Sequence, residues 1–158
     1  MNERAIPQEL KRRRQWVVWR YLLPDKEGAK PRKVLFTPTT GEIASSTDRA
    51  TWGSYTEAMA AFRRGGWEGV GFVFAADDTV AGIDLDGCVD PNTGTLTPQA
   101  QAIVQTFDSY AEKSPSGCGV HILILGAMPG GRGRKCGAYE AYSEGRFFTI
   151  TGDHLEGT

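Results

Sequence analysis

The sequence has few cysteines, no long apolar run and almost no net charge. Its three cysteines, Cys88, Cys118 and Cys136, form no CxxC pair, which argues against a disulfide framework and favours a reducing compartment. A zinc site combining them with His121 or His154 is one alternative. No stretch approaches membrane-spanning length, and the charged N-terminus lacks a signal-peptide core. We therefore expect a cytoplasmic protein with no membrane partner.

The composition is that of a soluble globular protein, with 40% hydrophobic and 23% charged residues among 158. A net charge of −1 provides no overall field that would attract nucleic acid. The charges are nevertheless uneven, because basic residues cluster at KRRR (11–14), KPRK (30–33) and GGRGRK (130–135). We expect a single domain over residues 1–158, as the N-terminal part of a longer protein, because DHLEGT ends the sequence without a helix-closing signal.

The first half of the chain predicts two hairpins and one helix. Four strand-like segments are paired in chain order: QWVVWRYLL (15–23) with KVLFTP (33–38), and GVGFVFA (69–75) with TVAGIDLDG (79–87). Between the two hairpins, apolar residues recur at three- and four-residue steps in TWGSYTEAMAAFRRG, which indicates a helix. Thr47 or Asp48 is its predicted N-cap, and the Gly65–Gly66 pair is its predicted end.

The second half predicts one more helix and three more strands. Thr97 as a cap and Pro98 at the first helical position favour a helix start. The predicted strands are GVHILILG (119–126), AYEAYSEG (138–145) and RFFTITG (146–152), and PGGRGRKCG before the last two is predicted as a flexible basic loop. The resulting order, β-β-α-β-β-α-β-β-β, indicates an α+β fold with a largely antiparallel sheet.

The most informative short segment is VAGIDLDG, which places Asp84 and Asp86 in an apolar strand. Residues i and i+2 share a face of a strand, so the two carboxylates project together with Cα atoms roughly 6.5 Å apart. Like charges at this spacing repel one another unless a cation lies between them, and hard divalent cations prefer oxygen ligands. A metal site is one interpretation; a strand end with Asp84 facing solvent is another. A calcium loop fits poorly, because glycine stands fourth, at Gly87, and not sixth.

A second candidate site is the turn in KSPSGCGVHILI. Ser114, Ser116 and two glycines form a small polar turn whose hydroxyl and N–H groups suit an anion. His121 follows on the strand, on the same face as Gly119, where it can donate to a phosphate. The alternative is a structural histidine beside an ordinary turn. The segment is not a Walker A loop, which requires G-x-x-x-x-G-K-[ST].

The last strands offer a third carboxylate and a cation. Glu140 shares a strand face with Tyr142, and Glu144 at the following turn is its rival as a metal ligand. Arg146 opens the apolar strand RFFTIT and is a candidate partner for an anion. Both glutamates could instead be ordinary exposed residues near a turn.

In combination, the three segments resemble the archaeo-eukaryotic primase superfamily. The closest resemblance is to the N-terminal primase–polymerase domains of phage and plasmid replication proteins. IDLD (83–86) matches the hydrophobic-Asp-hydrophobic-Asp motif, GVH (119–121) the small-x-His motif, and YE (139–140) the hydrophobic-acid motif. The resemblance implies an RRM-like antiparallel catalytic sheet with helices, plus a small N-terminal α/β unit. The zinc-knuckle cysteine pairs of some members are absent from this sequence.

The resemblance also implies an activity, its cofactors and its partners. The activity is that of a metal-dependent DNA primase and DNA polymerase, encoded by a phage, a plasmid or a bacterium. The ligands of two Mg²⁺ or Mn²⁺ ions would be Asp84, Asp86 and Glu140, and the nucleoside triphosphate contacts would be Ser114, Ser116, His121 and Arg146. The partners would be single-stranded DNA template, primer, and a C-terminal helicase or priming region. Two other functions stay open, namely a catalytically idle nucleic-acid docking module and a metal-dependent nuclease.

Overall fold

A computed structural model of the chain describes residues 1–23, 28, 30–126, 128 and 133–158. Within these residues the protein has an α+β fold made of two antiparallel sheets and a few helices, which confirms the predicted fold class. None of the helices in those ranges combines the length and the apolar character needed to cross a bilayer.

The described elements follow one another in this order: α1 (Gln8–Lys11), β1 (Trp16–Leu22), β2 (Arg32–Phe36), a 3₁₀ turn (Arg49–Thr51), α2 (Tyr55–Arg64), β3 (Gly69–Val73), β4 (Val80–Leu85), α3 (Pro98–Phe107), β5 (Ala111–Lys113), β6 (Val120–Leu125), β7 (Arg134–Cys136), β8 (Tyr139–Tyr142) and β9 (Phe147–Ile150). Strand β7 lies in the segment predicted to be a flexible loop, and residues 129–132 of that segment are outside the described ranges. The predicted pairing of the first two strands is confirmed, because β1 and β2 are antiparallel.

The first sheet has the strand order β2-β1-β3-β9. One of its faces packs against α2, where Trp16 meets Phe72 edge-on with ring centroids 5.4 Å apart. Strand β9 comes from the C-terminal part of the chain and completes this sheet by pairing with β3. The last strand of the chain is therefore an edge strand of the sheet that the first strands form, so the two parts of the chain share one sheet.

The second sheet has the order β5-β6-β4-β8-β7, with β4 in the centre. On one face, Ile83 and Leu85 pack against Ala100 and Val104 of α3. Gly82 lies on the opposite face, where a side chain would overlap the aromatic rings that the first sheet places there. The glycine lets the two sheets approach each other closely, and Asp84 lies two residues further along the same face.

The predicted hairpin between residues 69–75 and 79–87 is wrong. Strand β3 belongs to the first sheet and β4 to the second, and they do not pair. Every residue of β3 is buried, as is every residue of β4 except Asp84. Strands covered on both faces belong in the middle of a sheet, so each of these two takes partners on both of its edges instead of forming a hairpin.

The predicted N-cap of α2 is also wrong. Ser54 caps this helix, and the Glu57 carboxylate completes a capping box by accepting a hydrogen bond from the Ser54 N–H. Asp48 caps the preceding 3₁₀ turn instead. The other helix boundaries are confirmed: α2 ends at Gly65, and the Thr97 hydroxyl caps α3 by accepting from the Ala100 N–H.

Candidate functional site

A row of ionisable side chains crosses all five strands of the second sheet. The strand register places His121 and Glu140 opposite Asp84 on its two sides. Beyond them, Glu112 is opposite His121 and Lys135 is opposite Glu140. Residues directly opposite one another in antiparallel strands point to the same face. One face of the sheet therefore carries, from edge to edge, a carboxylate, an imidazole, two carboxylates and an ammonium group.

A second row, made of Ser114, Gly119, Asp86 and Ala138, lies just beyond the C-terminal end of β4. The Ser114 N–H donates to the Gly119 carbonyl (2.9 Å), and the Asp86 N–H donates to the Ala138 carbonyl (3.1 Å). A Cβ atom on Gly119 would lie only 3.0 Å from the Leu85 carbonyl oxygen. Because its neighbours in this row are glycine and alanine, the exposed carboxylate of Asp86 has open space around it.

The carboxylate of Asp84 is in an environment that disfavours its charge. Burial raises the pKa of Asp84 above its ordinary value, and the negative charges of Asp86 and Glu140 raise it further, whereas His121 and Lys33 oppose the shift. Its side chain is 23% exposed, so the group is still accessible from solution. A cation bound beside these carboxylates would relieve both the burial cost and the repulsion.

The third carboxylate is Glu140, and it is already paired. Lys135 forms an ion pair with it, and this hydrogen bond raises the pKa of Lys135. Glu144 lies in the turn between β8 and β9, outside the row. In the described residues, no three His, Cys, Asp or Glu side chains are gathered in metal-binding geometry, and this holds for the cysteines and histidines of the zinc alternative as well as for the row. The row offers oxygen donors of the kind that Mg²⁺ or Mn²⁺ prefers, and one of them, the Glu140 carboxylate, is held by Lys135.

His121 is held in place by the edge of the first sheet. Its ring stacks on Phe148 with centroids 4.4 Å apart, and its Nδ1 atom is 3.1 Å from the Thr149 carbonyl oxygen. A carbonyl oxygen can only accept, so Nδ1 carries the proton in this contact. The opposite ring atom, Nε2, lies 3.8 Å from Asp84 Oδ1 and faces the carboxylates.

The structure brings the two serines to the site but leaves Arg146 at a distance from the row. The hydroxyls of Ser114 and Ser116 are 3.0 Å apart in the turn that enters β6, next to Asp86. The Arg146 guanidinium lies over the ring of Tyr142, 5.4 Å from its centroid, and lines an open cleft of about 670 Å³ together with Glu144. The cleft is adjacent to the row, because Tyr142 follows Glu140 on the same strand face.

Two residues of this region were not singled out from the sequence. Glu112 is fully buried at the β5 end of the row. Lys33 belongs to the KPRK cluster, but it stands on the first sheet, where its ammonium group lies 5.2 Å from the Trp19 ring centroid. Burial lowers the pKa of Lys33, and its charge acts on both Asp84 and Asp86. No local pattern could have found either residue, because both reach the site through strand pairing or sheet packing.

Comparison with known proteins gives one clear similarity. The chain is 37% identical to a protein named DNA Primase-polymerase from Nitratiruptor phage NrS-1, in an alignment of 153 residues that covers 94% of the chain. The match spans 20% of that relative. No family model matches the chain. The similarity confirms the resemblance to phage primase–polymerases that the three motifs predict.

Proposed function

We propose that this chain, a homologue of one part of a phage DNA primase-polymerase, is a metal-dependent nucleotidyltransferase domain that synthesises and extends primers on single-stranded DNA. The observation that carries the proposal is the row across the second sheet. In this row, Glu140 and His121 lie opposite Asp84 on its two sides. Asp86 lies two residues after Asp84, on the same face of the strand. Three carboxylates and an imidazole on one accessible face suit the transfer of a phosphoryl group.

The carboxylates of Asp84, Asp86 and Glu140 are the proposed ligands of Mg²⁺ or Mn²⁺. Bound there, two such ions would supply the charge neutralisation that a 3′-hydroxyl nucleophile and a pyrophosphate leaving group require. Lys135 then has a simple role in the free protein, since it neutralises Glu140 until a cation takes its place. Its side chain is 68% exposed, so it can turn away into solvent.

The triphosphate is proposed to lie at the end of the site where Asp86 has small neighbours. The hydroxyls of Ser114 and Ser116 and the nearby turn can donate to phosphate oxygens, and Lys33 adds a positive charge from the other sheet. His121 directs its Nε2 edge toward the same space. Arg146, in the adjacent cleft, remains a candidate for a more distant phosphate contact.

The proposed partners follow from the reaction and from the relative's length. Template and primer DNA must approach the carboxylate face, and Arg32 and Lys33 of KPRK lie on the sheet that borders it. A helicase or priming region after this domain is proposed because the chain corresponds to only 20% of the relative. Single strands are commonly bound by basic surfaces that include aromatic side chains, and the β1–β2 pair provides both types of residue.

The test is a primer-synthesis and extension assay with single-stranded template, labelled nucleoside triphosphates and Mg²⁺ or Mn²⁺. Wild-type protein should incorporate label, whereas Asp84→Asn and Asp86→Asn should not, and Asp153→Asn is the matched control on an exposed carboxylate. A nuclease would shorten end-labelled DNA in the same reactions, and a docking module would bind the template without incorporation. Incorporation by folded Asp84→Asn protein would contradict the proposed role of the carboxylates.

A further inference from the structure

Glu112 is a buried carboxylate for which the proposed reaction has no direct use. It is 0% exposed and accepts three hydrogen bonds. The Thr151 N–H donates to Oε1 (2.9 Å), whereas the Gly152 N–H (2.8 Å) and the Tyr110 hydroxyl (2.7 Å) donate to Oε2. Burial and the neighbouring carboxylate raise the pKa of Tyr110, so its hydroxyl stays a donor.

The carboxylate has one further neighbour, which is the histidine of the row. Glu112 Oε1 lies 3.9 Å from His121 Nδ1, the same ring atom that is 3.1 Å from the Thr149 carbonyl oxygen. Two oxygen atoms that can only accept therefore face Nδ1. In the opposite tautomer, the Nδ1 lone pair would face both of them, which is repulsive in a buried site. The surroundings thus favour the proton on Nδ1 and leave Nε2 on the side of Asp84.

We propose that Glu112 is a positioning residue for His121. With the Thr149 carbonyl it keeps a proton on Nδ1 and the ring against Phe148, so that Nε2 faces the carboxylates and, when this nitrogen also carries a proton, donates to the triphosphate. A carboxylate behind a functional histidine commonly fixes its tautomer and orientation in this way. The part of this inference that concerns nucleotide rests on the proposed function, whereas the tautomer and the ring position are properties of the free protein.

Strand β5 and the residue that follows it carry two of the proposed roles. Glu112 on β5 positions the histidine, and Ser114, which comes directly after β5 and two residues after Glu112, is the proposed donor to the triphosphate. Glu112 also accepts from the backbone of residues 151 and 152 just after β9, so the segment that supplies the Thr149 carbonyl is anchored to the same carboxylate. Glu112 therefore faces Nδ1 itself and also anchors the segment whose Thr149 carbonyl oxygen is the hydrogen-bond partner of Nδ1.

The first experiment measures the tautomer directly in nucleotide-free protein. The chain has only two histidines, so nitrogen-15 long-range correlation spectra at a pH where the rings are neutral can be assigned with a His154→Gln variant. Wild-type His121 should carry its proton on Nδ1, and Glu112→Gln should raise the share of the Nε2–H form. An Nε2–H tautomer in the wild type would overturn the inference without any variant, and an unchanged spectrum in folded Glu112→Gln would do the same.

The second experiment is a double-mutant cycle on nucleoside triphosphate affinity, with Glu112→Gln, His121→Ala and the double variant. Glu112→Gln should weaken binding about tenfold, the lower end of the 10–100-fold range known for the carboxylate partners of metal-ligating histidines, because His121 here contacts a phosphate and not a metal. In the His121→Ala background the same change should have no further effect, and exposed Glu68→Gln is the matched control. Additive losses would mean that Glu112 acts independently of His121, which contradicts the inference. If wild-type protein binds no nucleotide, the proposed function fails while the tautomer result still decides the role of Glu112.

Discussion

Replacing Asp84 by asparagine should stabilise the protein when no divalent cation is present. Asp84 lies in the centre of the second sheet, with Glu140 directly opposite and Asp86 two residues along the strand. The asparagine has the same shape but no charge, so it removes two repulsive interactions and the cost of burying a charge. The same change should remove the stabilisation that an added cation gives to the wild type.

The size of the effect follows from the spacing of the charges. Residues opposite each other or two apart on a strand hold their charges about 6 Å apart, which gives about 0.7–2.8 kcal/mol per pair for effective dielectric constants between 80 and 20. Part of this is offset, because Lys33 and His121 act on Asp84 with the opposite sign and Lys135 is paired with Glu140 in the metal-free protein. We expect a net gain of about 1 kcal/mol, or a rise in Tm of about 2–4 °C for a domain of this size.

The measurement is a set of thermal melts at pH 7 with a chelator and then with increasing Mg²⁺, and Asp153→Asn is the control. Because the pKa of Asp84 is raised in the folded state, its charge costs stability at neutral pH, and this cost disappears as the pH falls through that pKa. The gap between variant and wild type should therefore close below the ordinary aspartate pKa of 3.8. A variant that melts no higher than the wild type at pH 7, or that gains as much from Mg²⁺, would refute the reasoning.

Three further changes test the site and the packing. Glu140→Gln should lose most Mg²⁺-dependent primer extension, because an amide is a poor ligand for a hard cation. The activity of Glu144→Gln should stay near that of the wild type, and the reverse pattern would show that the third ligand is the glutamate in the turn. Gly82→Ala should lower the free energy of unfolding in urea by about 1–3 kcal/mol, since its methyl group would overlap two phenylalanine rings, and an unchanged midpoint would contradict this packing. A maleimide should modify Cys136, which is exposed, well before Cys88, which is 2% exposed. Burial also raises the pKa of the Cys88 thiol, which lowers its reactivity, and equal rates would contradict the burial of Cys88 in the core.

Local sequence patterns predicted the features that depend on neighbouring residues. The Thr97 cap and the Gly65 end depend on residues within one helical turn, and both are confirmed. The pairing of β3 with β4 was wrong, because an apolar segment contains no information about which sheet will cover it. The cap of α2 was missed because Thr47 and Asp48 are also good cap residues, and only the structure shows that a 3₁₀ turn separates them from the helix.

The candidate site likewise has one feature that the local sequence pattern predicts and others that depend on how the strands pair. That Asp84 and Asp86 share a face follows from the two-residue period of a strand. That Glu140 lies opposite Asp84 depends on the register between β4 and β8, which the sequence motif indicated only through resemblance. Glu112 and Lys33 could not be predicted, because one reaches the site across two strand pairings and the other from a different sheet.

The central position of β4 affects how the chain must fold. Both strands that pair with β4 follow it in the sequence, so the ribosome releases a nearly continuous apolar strand before either partner exists. Such a strand can pair wrongly with other chains, and charged residues within and beside it act as gatekeepers against aggregation. Asp78 precedes β4, Asp84 interrupts it and Asp86 follows it. The charge of Asp84, which we expect to cost stability in the folded sheet, thus also acts as a gatekeeper in the nascent strand. Asp84→Asn protein should aggregate more readily on refolding, even though its native state is expected to melt higher.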